Sequence, residues 1–167
     1  GAADVARRLA VRLDAPLVMS AYSRLVMDMN RRPDDPTAMP EESDGTPVPG
    51  NRALSPAARS SRQAALYAPY HAAIAAQIER IRRAGAVPLV LSIHSFTPVF
   101  KGNVRPWHVG VLWNRDDRLP VLLMAALRQL DGVVVGDNQP YSGQDGHGHT
   151  MPCHVEGPGY QIGRAHA

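Results

Sequence analysis

The chain has 167 residues, enough for one domain with one hydrophobic core. Apolar residues make up 44% and charged residues 20%, the balance of a globular protein, and no run reaches the roughly 18 apolar residues of a membrane span. The net charge of +3 rests on scattered arginines, with Lys101 as the single lysine, so a nucleic-acid surface is not indicated, and Cys153, the single cysteine, excludes an internal disulfide and a cysteine-rich zinc site.

The chain opens Gly1-Ala2-Ala3-Asp4, without methionine, so the native start is expected upstream. With no signal peptide and one cysteine, a reducing cytoplasm is the expected compartment. Val5, Leu9 and Leu13 recur at helical spacing and predict a helix from Ala2 to Leu13, stopped by Pro16. Leu17 to Met19 reads as a short strand and Leu25 to Met29 as a second. Arg32 to Ala53 is a long loop with turn signals at Asp44-Gly45 and Pro49-Gly50.

Ser55-Pro56 announces a helix, the serine as N-cap and the proline at the first helical position. It runs to Ala84 with Gly85 as its stop, and Pro69 inside it predicts a kink or two helices. Val87 to Ile93 is the strongest strand pattern, followed by a strand at Val109 to Trp113, a helix at Leu119 to Leu130 and a strand at Gly132 to Val135. Helices alternating with apolar strands predict an α/β fold with a largely parallel central sheet.

Chemistry concentrates at two strand exits. Ser92-Ile93-His94-Ser95-Phe96-Thr97-Pro98 puts one imidazole at the end of the best strand, where open α/β sheets place their ligands. The plain alternative is a hydrogen-bonded core histidine. Ser23 to Arg31 ends in Asn30 and Arg31, an amide beside a planar fork of donors suited to a carboxylate. Arg24 lies six residues before Asn30, on the same face of an extended strand, and is placed to stabilise an oxyanion. The plain alternative is an Arg24–Asp28 ion pair. Zinc needs about three protein ligands in a catalytic site, so His94 alone is insufficient. His147-Gly148-His149 is a possible metal pair in a glycine-rich loop, and His71, beside Tyr70 in the long helix, reads as structural. No HExxH, GxSxG or Walker glycine loop is present, so serine and P-loop mechanisms have no support.

Seven stretches together, in order and spacing, are similar to the N-formylglutamate amidohydrolase family. They are Tyr22 to Arg31, Ser43 to Asn51, Pro69 to His71, Ser92 to Pro98, Arg105 to His108, Gly110 to Leu112 and Gly136 to Ser142. The resemblance implies a three-layer α/β/α fold around a central mixed, largely parallel sheet of the phosphorylase/hydrolase-like kind. It further implies hydrolysis of N-formyl-L-glutamate, or a similar N-acyl acidic amino acid, to formate and glutamate, with a zinc cofactor as Lewis acid. On the matching positions it makes His94 a zinc ligand, Asn30 and Arg31 the pair that grips the substrate carboxylate, and Arg24 the group that polarises the scissile carbonyl.

Two family features have no match. The first zinc motif is expected before Gly1, and the catalytic glutamate in a strand beyond His154 to Glu156, where Glu156 is the one nearby carboxylate. The chain therefore reads as a single incomplete domain, a piece lacking both ends, poorly active by itself. Ile162 to His166 resembles translated sequencing-adapter DNA, so 157–167 is expected to be a disordered or non-native tail. The partner is a small acidic N-acyl amino acid, not nucleic acid or a membrane. The competing reading is a non-catalytic module that binds small carboxylates. A related zinc deacylase or peptidase with another acyl group is a further one, with Arg32 to Ala53 and Trp107-His108 shaping its choice of substrate. Either hydrolase reading requires His94, Asn30 and Arg31 to open into one pocket.

Overall fold

The computed structural model describes residues 1–145, 148–155 and 161–166. Helix α1 (Ala2–Arg12) opens the chain as its apolar spacing predicts. No strand forms at Leu17 to Met19 or at Leu25 to Met29, where two were expected. The second departure has a visible cause. A strand forms where a neighbouring ladder satisfies its backbone, and here other groups already do so. The Leu25 carbonyl accepts from Asn51 Nδ2 at 2.7 Å, the Val26 carbonyl from Arg62 Nη1 at 2.9 Å, and the Asp28 amide donates to the Ala38 carbonyl at 2.8 Å. The segment is thus a turn at residues 24–26 followed by irregular backbone, and the strand-face argument that aligned Arg24 with Asn30 does not hold.

The long loop folds on itself in a hairpin of β1 (Glu42–Ser43) and β2 (Thr46–Pro47). Its turn residues Asp44 and Gly45 both have positive φ, as the turn signal there predicts. Helix α2 (Pro56–Arg62) starts with the Ser55 hydroxyl accepting from the Ala58 amide at 3.1 Å. It passes through one π-turn, Gln63–Tyr67, into α3 (Ala68–Arg83), with Gly85 after its end. A proline brings no donor for the carbonyl four residues back and crowds it. A wider turn just before Pro69 accommodates both effects, so the helix continues instead of splitting.

Strand β3 (Leu89–His94) leads into a second tight hairpin, β4 (Val99–Phe100) and β5 (Asn103–Val104). Then come β6 (Val109–Leu112), α4 (Arg118–Leu127), β7 (Val135–Asp137), α5 (Thr150–Val155) and β8 (Gln161–His166). The main sheet runs β3-β8-β6-β7. The β3/β8 and β6/β7 pairs are parallel and β8/β6 is antiparallel, so the sheet is mixed. Residues 161–166, read from sequence as part of a tail, pair on both sides between β3 and β6. Helix α1 packs on β3, α4 on β8, β6 and β7, and α5 on both α3 and β8.

Two apolar clusters hold these pieces together. Met27, Met29 and Met39 pack with Leu54, Leu66, Tyr67 and Tyr70. Ile78 and Met151 pack with Ile74 and Val90, joining α3, α5 and β3.

Candidate functional site

His94 closes β3 and is half-buried. Ser92 lies two residues earlier, on the same face of the strand, and its Oγ is 2.8 Å from His94 Nε2. Through the register His94–His166–Gly110, the exit of β3 meets the start of β6. Trp107 and His108 precede β6 directly, and His108 Nδ1 accepts from the Val134 amide at 3.0 Å. The hairpin that follows His94 is joined to the long loop, since Asp44 Oδ1 accepts from the Lys101 amide at 2.9 Å.

The Ser23 to Arg31 segment is anchored by its own side chains. Arg24 pairs with Asp28 at 2.9 Å; Arg24 is 58% exposed and Asp28 only 12%. The ion pair weighed against a catalytic role is therefore present. The other oxygen of Asp28 accepts from the Asn30 amide at 2.9 Å. Asn30 Oδ1 accepts from the amides of His149 and Thr150 at 3.0 and 2.9 Å. It serves as an N-cap supplied from a distant segment, satisfying two of the amides that a helix start leaves open. Arg31 follows, half-buried. Asn30 thus reaches α5 through its side chain, while Ser92 Oγ lies beside His94 Nε2.

Sequence reasoning missed a third group. His71 on α3 is buried, and His71 Nδ1 lies 2.7 Å from His154 Nε2 on α5. His71 Nε2 is 3.0 Å from the Met29 carbonyl. A carbonyl only accepts, so the neutral His71 carries its proton on Nε2 and leaves Nδ1 as acceptor for His154. The two rings stack with centres 5.0 Å apart, and His149 and Tyr67 flank His71 at 5.6 and 4.1 Å. Burial holds all three imidazoles below the usual histidine range, and mutual repulsion adds to this at His71 and His154. Burial also pushes the Tyr67 hydroxyl up to about 12, so it is a donor here and not a base. Among the described residues, His71, Cys153 and His154 place ligand atoms within 4.8 Å of one another. No such group of three gathers at His94 there. His147 and Glu156 lie outside the described residues. The signal for this cluster was the run of His149, Cys153 and His154, at helical spacing, but its partner is 83 residues away in sequence.

A family model described as N-formylglutamate amidohydrolase matches residues 1–164. The chain belongs to the N-formylglutamate amidohydrolase family. A crystal structure of a gene product from Agrobacterium tumefaciens is similar to it, with 38% identity and a TM-score of 0.89. The alignment covers 99% of this chain and 65% of that one, so the chain spans a little under two thirds of that relative's length. No curated protein matches the chain. The likeness to the crystal structure supports the mixed α/β architecture. Among the described residues no helix is long and apolar enough to cross a membrane.

Proposed function

We propose that this chain supplies the substrate-holding part of a site that hydrolyses N-formyl-L-glutamate, or a similar N-acyl acidic amino acid, to formate and glutamate. The match of residues 1–164 to the N-formylglutamate amidohydrolase family carries this reading. Arg31 and Asn30 face the substrate carboxylate, Arg31 with a two-pronged set of donors. Arg24, oriented by Asp28, polarises the carbonyl under attack. Water adds to the carbonyl carbon, the C–N bond breaks, and the leaving amine takes a proton. In this reading the protein is cytoplasmic, and zinc, where it takes part, has His94 as one ligand. One imidazole falls short of the roughly three ligands of a catalytic zinc, and the described residues gather no such set at His94.

The same observation favours a second reading, a module that binds small carboxylates without turnover. Formate release from N-formyl-L-glutamate by the purified chain separates the two. The hydrolase reading expects slow release, because the chain holds only part of the site, and loss of that release in Arg24→Ala. Binding of formylglutamate by calorimetry, without release, supports the module. In both readings Arg31→Ala weakens binding of the acidic ligand by about 2–4 kcal/mol, the scale for removing one member of a buried charged pair. An unchanged affinity rules out the clamp.

A further inference from the structure

We propose that His71, Cys153 and His154 form a binding site for a divalent transition metal of the zinc class, which clamps α5 onto α3. None of the residues read as catalytic or substrate-binding is a ligand of this site. It therefore stands or falls independently of the hydrolase reading.

Three observations combine. The ligand atoms of the three side chains already lie within 4.8 Å of one another, drawn from two packed helices. His71 donates from Nε2 to the Met29 carbonyl at 3.0 Å, which fixes its tautomer and turns the Nδ1 lone pair toward His154 and Cys153. That outer hydrogen bond is what orients a metal-bound imidazole. The facing nitrogens are 2.7 Å apart and share a single proton. Replacing that proton by an ion engages both lone pairs at once.

The chemistry balances simply. The His154 proton moves from Nε2 to Nδ1, freeing Nε2 as a ligand. The Cys153 thiol releases its proton to solvent and binds as thiolate. Tetrahedral zinc with bonds near 2.0–2.1 Å needs the two nitrogens about 3.3 Å apart. The rings must then separate by about 0.6 Å, a small movement for His154 on its short helix. Two imidazoles and a thiolate suit zinc or cobalt and not the oxygen-seeking magnesium or calcium. Water completes the coordination, or His149, whose ring centre is 5.6 Å from that of His71.

Cobalt(II) is the probe, because Cys153 is the single cysteine of the chain and any sulfur-to-cobalt charge-transfer band must come from it. Purified full-length chain, reduced with a phosphine, is titrated with cobalt(II). The expected result is one equivalent bound, a near-ultraviolet thiolate band with tetrahedral visible bands, and displacement by zinc. Cys153→Ser and His154→Ala lose the thiolate band, and His94→Ala keeps it. Bound zinc slows alkylation of Cys153 by iodoacetamide at least tenfold. Cys153 is exposed, so its serine variant is expected to fold, which a circular dichroism melt verifies. Absence of the thiolate band at one equivalent overturns the proposal. So does stoichiometric binding that Cys153→Ser leaves unchanged, or a band that disappears in His94→Ala.

Discussion

Asn51 shows how one buried amide shapes the region around the candidate site. It is 1% exposed and makes three hydrogen bonds, donating to the Leu25 and Pro40 carbonyls at 2.7 Å each and accepting from Arg62 at 2.6 Å. Asn51→Leu fills the space but leaves two carbonyls and a guanidinium group short of partners, at a cost of about 3 kcal/mol in urea unfolding. A loss under about 1 kcal/mol means that water replaces these bonds. Asp35 acts nearby on a smaller scale. Its carboxylate accepts from the Thr37 hydroxyl and amide at 2.6 and 2.7 Å, and those bonds hold its pKa below the usual carboxylate value. A lowered folded-state pKa stabilises above the unfolded value of about 3.9 and is lost as pH falls through the folded one. Asp35→Ala is therefore expected to cost about 1 kcal/mol at pH 7, as for other helix-start caps, with the gap to the parent closing below about pH 4. A gap that is constant from pH 7 to pH 3 contradicts this. At this level the sequence was partly legible. His94 announces itself as an ionisable group ending an apolar run, and the Arg24–Asp28 pair follows from spacing. Nothing local marks Asn30 as the cap of α5, because the two amides it meets lie 119 and 120 residues away.

The elements that sequence reading located are those with a strong local code. Ser55-Pro56 fixes the start of α2, helical spacing fixes α1, and apolar runs fix β3 and β6. Two strands were read where none forms; at Leu25 to Met29 the reason is that the carbonyls of Leu25 and Val26 are served by Asn51 and Arg62 from other segments. The hairpin at Lys101-Gly102 was missed, although it uses the same pair of positive-φ turn residues as Asp44-Gly45. Close packing between elements is equally invisible in sequence. Gly110 on β6 faces the backbone of Gln139, and a Cβ there meets the Gln139 carbonyl oxygen and carbon. Backbone cannot rotate away as a side chain can, so Gly110→Ala must push β6 and the 138–140 segment apart. A destabilisation of about 1–3 kcal/mol is expected, the range for overpacking, with protection of the β6 and β7 amides reduced in hydrogen exchange. Wild-type stability in Gly110→Ala shows that this segment gives way freely.

Taken whole, the molecule depends on a strand that its sequence pattern does not mark. Gln161–His166 carries no apolar alternation, yet it pairs through six residues with β3 and three with β6. Among the described residues β3 has no other main-sheet partner, so β8 alone joins it to β6 and β7. Helices α4 and α5 also pack on β8, which makes it the meeting point of the sheet with both. Deleting 161–167 strips one backbone edge from β3 and another from β6, and exposed unpaired edges favour association between chains. The shortened chain is expected to lose its single cooperative thermal transition and to gain concentration-dependent aggregation. A gentler variant tests the same point without removing residues. Gly163→Pro deletes one ladder donor from a central strand, a position that tolerates proline poorly. Both variants are to be compared with the parent by circular dichroism melting and light scattering. If either one melts cooperatively within about 3 °C of the parent, a shift worth roughly 1 kcal/mol in a domain of this size, then β8 is dispensable and β3 is held by the packing of α1 and α3 instead.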